Sequence, residues 1–204
     1  VSRVPEPLLE YDNATHTYKV DGVVYPSVTQ VLREAGLIDD TWFTEEGAER
    51  GKEVALITEL YDKGELDEAL LTKTRPQYMG YLEAWKKFLR ERVFVVVTIE
   101  ERLYEHAYCY AGTSDRRVSL IDGTGRTLVE IKTGAKAWWH RYQTAAYMAV
   151  RGALNRMAVY LKPDGKYTCD PHDDYPHDID VFRAALCIAN EKRAYGKTGD
   201  RYGG

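Results

Sequence analysis

The chain has 204 residues, of which 44% are hydrophobic and 29% charged, with 28 Lys plus Arg against 32 Asp plus Glu. That length suffices for a sizeable core without disulfide or metal staples, and the net charge of −4 argues against a protein that coats polyanions along its whole surface. No run approaches the ~20 apolar residues of a membrane span and no leader is expected. The three scattered cysteines, Cys109, Cys169 and Cys187, fit neither a disulfide framework nor a metal knuckle and point to a reducing cytoplasm.

In chain order, His16–Val20, the Asp21-Gly22 turn and Val23–Tyr25 predict a hairpin. Ser27 is placed to cap a helix carrying Val28, Val31, Leu32 and Ala35 on one face and ended by Gly36. Thr44 caps a second helix, which reaches about Tyr61 and stops at Lys63-Gly64. A third is expected from Pro76 to Arg92. The run Val93–Ile99 predicts a strand covered on both faces. Shorter strands are expected at Tyr108–Tyr110, Arg117–Ile121 and Thr127–Lys132, with a turn at Asp122–Gly125. A helix over about Ala137–Gly152, a strand at Met157–Lys162, a turn at Pro163–Gly165 and a last helix from about Ile179 to Tyr195 follow, and the Gly-rich tail is expected to fray. With no repeat or linker, the chain is expected to form one domain over 1–204: hairpin and helices (1–92), a sheet and helix (93–162), and a C-terminal strand and helix (163–204).

Charge is uneven along this order. Between Lys132 and Lys166 lie seven basic residues and one acid, Asp164, with Trp138 and Trp139 side by side. Cations interleaved with aromatics suit a phosphate backbone and base faces. A solvated helix face beside core aromatics has the same composition. The acid- and histidine-rich stretch Asp170–Asp178 is expected to be a surface loop leading into the last helix, its prolines and irregular spacing fitting no metal site.

Three segments can be assembled into a site. Asp115 closes Gly112-Thr113-Ser114-Asp115. Glu130 and Lys132, two apart on a strand, share one face while Val129 and Ile131 take the other. Gln143 and Tyr147, four apart, share a helix face. Two carboxylates make a hard oxygen site suited to Mg²⁺ or Mn²⁺, to which the Ile131 carbonyl could add an oxygen. Alone, an E-x-K pair reads as an ordinary Glu–Lys pair on an exposed hairpin rather than as a catalytic one.

The order Gly-Thr-Ser-Asp, hairpin, Glu-Ile-Lys-Thr-Gly, then a helix with Gln-x-x-x-Tyr resembles the PD-(D/E)xK nuclease superfamily, in its RecB-like and phage-exonuclease branch. His16-Thr17-Tyr18, Pro26-Ser27-Val28-Thr29 and Arg50-Gly51 extend the likeness toward the N-terminus. The resemblance implies an α/β fold with a restriction-endonuclease-like core, a central mixed β-sheet flanked by helices. It also implies a metal-dependent DNA exonuclease of phage or bacterial recombination, replication or repair. Asp115 and Glu130 would be metal ligands, Lys132 the catalytic lysine, and Gln143 and Tyr147 the helical motif that positions DNA and strand. Glu100 or Glu101 would match a further acid, Glu100 being preferred. Lys136, Trp138, Trp139, His140 and Arg141 are the candidate DNA contacts, a recombination or replication protein is a candidate partner, and the compartment is the cytoplasm of a bacterial host. The branch usually shows Arg-Gly-x-x-Val-His, whereas here Val54 is followed by Ala55. Natural loss of a ligand, an engineered substitution and compensation by Glu59 all fit. The alternative is accordingly a DNA-binding protein of the same fold with impaired catalysis.

Overall fold

A computed structural model describes residues 7–198, apart from 40, 42 and 154. The N-terminal residues pair as a three-stranded antiparallel sheet, β1 (Leu9–Asp12), β2 (Thr17–Val20) and β3 (Val23–Tyr25). Strand β1 was not expected, because its four residues carry two acids and no run of β-branched side chains. Helix α1 (Val28–Ala35) begins at Ser27, whose hydroxyl accepts from the Gln30 N–H while the Gln30 side chain accepts from the Ser27 N–H. This reciprocal box is worth about 1 kcal/mol. Thr44 caps α2 (Glu45–Lys63) in the same way through the Gly47 N–H. Both helices end where the sequence analysis placed them, at Gly36 and Gly64, which take the left-handed backbone that a side chain would resist.

A short helix absent from the expectations, α3 (Glu68–Thr74), is capped by Asp67 and buries only Leu71. A 3₁₀ turn at Pro76–Tyr78 then leads into α4 (Met79–Arg92). Here the backbone of Gly80 lies so close to Pro163 that a Cβ would sit 1.7 Å from the Pro163 carbonyl oxygen. Any side chain at position 80 would therefore push α4 off the 163–165 turn.

The central sheet has five strands in sequential order: β4 (Val93–Glu105), β5 (Tyr110–Leu120), β6 (Arg126–Lys132), β7 (Asn155–Leu161) and β8 (Tyr167–Pro171). All neighbours are antiparallel except β6 and β7, which run parallel with α5 (His140–Arg151) between them in the chain. On one face pack α1, α5 and the long α6 (Tyr175–Thr198), around Leu103, Tyr110, Leu128, Tyr147 and Phe182. On the other pack α2 and α4, with Val54, Trp85 and Phe88 against Val118, Val129, Met157 and Val159. Leu128 and Val129 fall in opposite clusters, as strand alternation requires. The fold is thus the mixed α/β arrangement expected, a mixed sheet flanked by helices and consistent with a restriction-endonuclease-like core.

Three expectations are corrected. Strand β4 is not covered on both faces: it is the edge of the sheet, Phe94 is 80% exposed, and Val95 and Val97 are also exposed. An apolar run reports β propensity, and burial must come from neighbours that an edge lacks. The strands expected at 108–110 and 117–121 are replaced by one long strand, β5, of which Tyr110 is the first residue and Leu120 the last, with Tyr108, Cys109 and Ile121 in the flanking turns; its polar middle (Thr113–Arg117) hid its continuity. The 170–178 stretch is only partly a solvated loop, since it finishes β8 and begins α6, with His172 and Asp178 buried. The tail expected to fray lies, from residue 199, outside the described residues.

Candidate active site

Pairing of β5 with β6 runs from Ser119↔Arg126 to Arg116↔Val129 and then stops, while β6 continues against β7 to Lys132↔Tyr160. The two strands part at the next pair of positions, Asp115 and Glu130. Because Arg116 and Val129 face one side of the sheet, Asp115 and Glu130 face the other, toward α5. The Asp115 carboxylate spans the gap by accepting the Ile131 N–H at 2.6 Å. The N–H and C=O of a strand residue point to the same side, so the Ile131 carbonyl opens into the same gap.

Lys132 completes the group. Its Nζ donates to Glu130 at 3.1 Å and to Gln143 Oε1 at 3.0 Å, and lies 5.7 Å from the centre of the Trp139 ring. The Gln143 amide in turn donates to the Tyr147 hydroxyl at 3.4 Å. Tyr147 approaches over Gly112, where a Cβ would stand 2.6 Å from its ring, so the glycine is needed for α5 to reach the site. Asp115, Glu130, Lys132, Gln143 and Tyr147 are therefore brought together.

The electrostatics are those of an acid group short of cations. Burial pushes the Glu130 carboxyl up to about 8, and the neighbouring Asp115 adds to the rise. Asp115 is raised by the same desolvation. Glu100, across β5 on β4, is raised to about 7 by burial, then by Asp115, with Glu59 of α2 also contributing. Glu100 has a left-handed backbone (φ +49°), rare for a side-chain-bearing residue and a known correlate of functional sites. Its carboxylate meets Arg116 at 2.9 Å.

Whether a hard cation fits can be judged from one atom. Glu130 Oε2 is buried with no hydrogen-bond partner, an acceptor left open beside a second carboxylate and the Ile131 carbonyl. Such an oxygen set suits Mg²⁺ or Mn²⁺ in kind. No group of three or more His, Cys, Asp or Glu side chains is at ligand spacing among the described residues, so the fit rests on two carboxylates and a backbone oxygen, with Glu100 turned to Arg116.

Position 55 lies on the face of α2 turned to this region. A Cβ at Gly51, one turn before it, would stand 4.0 Å from Thr133 Oγ1, and Thr58 Oγ1, one turn after, lies 3.4 Å from an Arg116 terminal nitrogen. The Ala55 side chain brings no donor atom to that face, and Glu59 is engaged by Lys63 at 2.5 Å.

The expected DNA contacts divide. Trp138 is exposed, and Lys136, also exposed, is paired with Asp170 at 2.5 Å. Trp139 is half-buried beside Lys132. His140 is corrected: it is only 5% exposed and shares a 2.7 Å hydrogen bond with the Tyr160 hydroxyl, and burial holds its pKa down to about 2. A neutral ring inside the core cannot meet a phosphate. Nor is 132–166 a single basic face, for Arg141 and Arg156 both pair with buried Asp178, Arg151 with Glu101 and Lys166 with Asp164.

Two features lay outside the sequence reading of the site. Arg116 is fully buried directly behind Asp115. A polar cleft of about 410 Å³ also adjoins Gln143 and Tyr147, walled by Tyr11, His16, Tyr18 and Arg33. The His16-Thr17-Tyr18 motif was a sequence signal for the second; for the first, adjacency to Asp115 was the only one.

No protein-family model and no curated protein matches the chain. Among solved structures it is similar to the crystal structure of SSO0001, at 16% identity and a TM-score of 0.32, over 74% of this chain and 69% of that one. It is also similar to the crystal structure of LHK-Exo in complex with dAMP, at 17% identity and a TM-score of 0.34, over 85% of this chain and 94% of that one. Likenesses this distant carry no argument about the site, whose reading rests on its own geometry.

Proposed function

We propose that the chain is a divalent-cation-dependent DNA nuclease of the exonuclease type, hydrolysing phosphodiester bonds with Mg²⁺ or Mn²⁺. The observation that carries this reading is the convergence of Asp115 and Glu130 where β5 and β6 separate, with Lys132 donating to Glu130 and an oxygen of Glu130 left open. Asp115, Glu130 and the Ile131 carbonyl would hold the ion, with Glu100 in reserve. The bound cation would polarise a phosphate oxygen and lower the pKa of a bound water.

The chain's own residues have separable tasks. Lys132 presents a positive charge where negative charge would develop on the phosphate, and Gln143 and Glu130 fix its position. Tyr147 steadies Gln143. The cleft bounded by Tyr11, His16, Arg33 and Thr113 contains no acidic side chain and leads a strand toward Gln143. Trp138 and Lys136 offer an exposed ring and a cation at the start of α5.

A second reading is a DNA-binding protein with impaired catalysis, favoured by one observation, the methyl side chain of Ala55 on the face of α2 turned to the site. Digestion of 5′- and 3′-labelled linear and circular DNA with Mg²⁺ and with Mn²⁺, run beside Lys132→Ala, separates the readings. The exonuclease shortens linear DNA, spares the circle, and loses this activity with Lys132. A shifted but intact label would establish the binder, and DNA that is neither cut nor retained would refute both.

A further inference from the structure

Arg116 makes more contacts than a buried cation needs for its own neutralisation. Its Nε donates to Asp62 Oδ2 at 2.6 Å, one terminal nitrogen donates both to Glu100 at 2.9 Å and to the Asp115 carbonyl at 2.6 Å, and the other reaches Thr58 Oγ1 at 3.4 Å. The guanidinium carbon lies 5.7 Å from the centre of the Trp85 ring, and Trp85 Nε1 donates to the second oxygen of Asp62 at 2.9 Å. One side chain therefore ties β5, the β4 residue Glu100, α2 and α4 together.

Two of these contacts bear on the site. The Asp115 carbonyl belongs to the residue whose carboxylate spans the gap, so the guanidinium fixes that residue from behind. Asp115 raises the cost of ionising Glu100, and the guanidinium, bonded to the Glu100 carboxylate and to the Asp115 backbone carbonyl, lowers it. Asp62 has no contact with Asp115 or Glu130 among the hydrogen bonds and ion pairs described. Its effect is to orient the planar fork, which can satisfy two carboxylates and a carbonyl only in one rotation.

We propose that Arg116 is a positioning residue for the metal site, oriented by Asp62 and acting through Glu100: its ion pair keeps this third carboxylate opposite Asp115 in the sheet, where its charge adds to the field of the ion site that Asp115 and Glu130 would form, without itself being at ligand spacing. This rests on the nuclease reading above but concerns a property that can be measured without turnover. A lysine at this position keeps the charge and loses the fork, so it can neutralise one carboxylate but cannot bridge Asp62, Glu100 and the Asp115 carbonyl together.

The test is a double-mutant cycle on Mn²⁺ affinity, measured by calorimetry on the intact chain without DNA. Arg116→Lys and Glu100→Gln are each expected to weaken Mn²⁺ binding about tenfold, and the double variant to be no weaker than Glu100→Gln alone, because the effect of Arg116 passes through Glu100. Asp62→Asn, should Arg116→Lys not fold, is expected to show the same dependence on Glu100 with a smaller loss. Cleavage at limiting Mn²⁺ would fall and recover at saturating Mn²⁺, while KM for DNA stays unchanged, since none of these groups lines the cleft. Effects that add, or a folded Arg116→Lys with wild-type affinity, would overturn the inference and leave the nuclease reading standing. A wild-type chain that neither binds Mn²⁺ nor cuts DNA would remove both.

Discussion

Two groups of buried charge flank the sheet, one around Asp178 on the α5 side and one that runs from Glu130 through the sheet to Arg116 and Asp62 of α2, and they are built on different plans. Around Asp178 the charge is matched, although not every atom is hydrogen-bonded: the carboxylate lies between Arg156 and Arg141, with Asp178 Oδ1 2.6 Å from Arg141 Nε in an ion pair that makes no hydrogen bond, Arg156 also donates to the Arg141 carbonyl and to Thr144, and the Thr144 hydroxyl shares a hydrogen bond with His172. Around Glu130 demand is left over: Asp115, Glu130 and Glu100 face Lys132 and an Arg116 shared with Asp62, and one carboxylate oxygen has no partner. A closed ion cluster fixes the fold, whereas an open one costs stability and retains the capacity to bind.

If that contrast holds, the largest effect will come from breaking the closed cluster. Asp178→Ala leaves the buried Arg156 guanidinium without its carboxylate, beside the partly exposed Arg141, and is expected to cost about 3 kcal/mol, read as a lowered urea midpoint; a loss under about 1 kcal/mol would mean the cluster does not hold the fold. Next is the open group, where Lys132→Ala is expected to lower cleavage by about 10²–10³-fold with little change in the urea midpoint. Glu130→Gln should do something unusual for a core substitution and stabilise the metal-free protein, by on the order of 2 kcal/mol at pH 8.

The pH dependence sharpens the same point. Glu130 titrates near its ordinary value of 4.5 in the unfolded chain and at about 8 in the fold. The fold therefore binds a proton that the unfolded chain has released, and stability falls as pH rises from about 4.5 to about 8. His172 works in the other direction: its pKa drops from 6.5 to about 4, chiefly by burial, so its contribution is complete above 6.5 and lost as pH falls toward 4. Denaturation midpoints across this range should show Glu130→Gln gaining most on the wild type at the alkaline end, with Mn²⁺ narrowing the gap. The smallest expected effect is that of Ala55→His, a several-fold gain in Mn²⁺ affinity and in cleavage at limiting metal, because an imidazole would supply the donor that the methyl group lacks. An unchanged affinity in a folded variant would show that position 55 does not face the ion.

The open group was more legible in the sequence than the closed one, for a physical reason. Glu130 and Lys132 are two apart on a strand and Gln143 and Tyr147 four apart on a helix, so local periodicity alone aligns each pair. Helix ends were legible likewise, from Ser27, Thr44, Gly36 and Gly64. Asp178 and Arg156 are joined only by the packing of α6 on the sheet, and no spacing announces that. The same blindness to long-range contact made His140 look available, made 132–166 look like one basic face, and hid the link from Arg116 to Asp62, which lie 54 positions apart.

The β4 edge carries a different consequence. Phe94, Val95 and Val97 are uncharged, exposed β-branched and aromatic residues on a strand with no outer neighbour among the described residues, the composition that recruits another chain into cross-β stacking. Two register shifts, between Val93 and Val95 and between Val96 and Thr98, bend this segment out of plane. Those irregularities spoil the flat template that fibril growth requires, and so serve as the safeguard that a lysine or proline provides on other sheet margins.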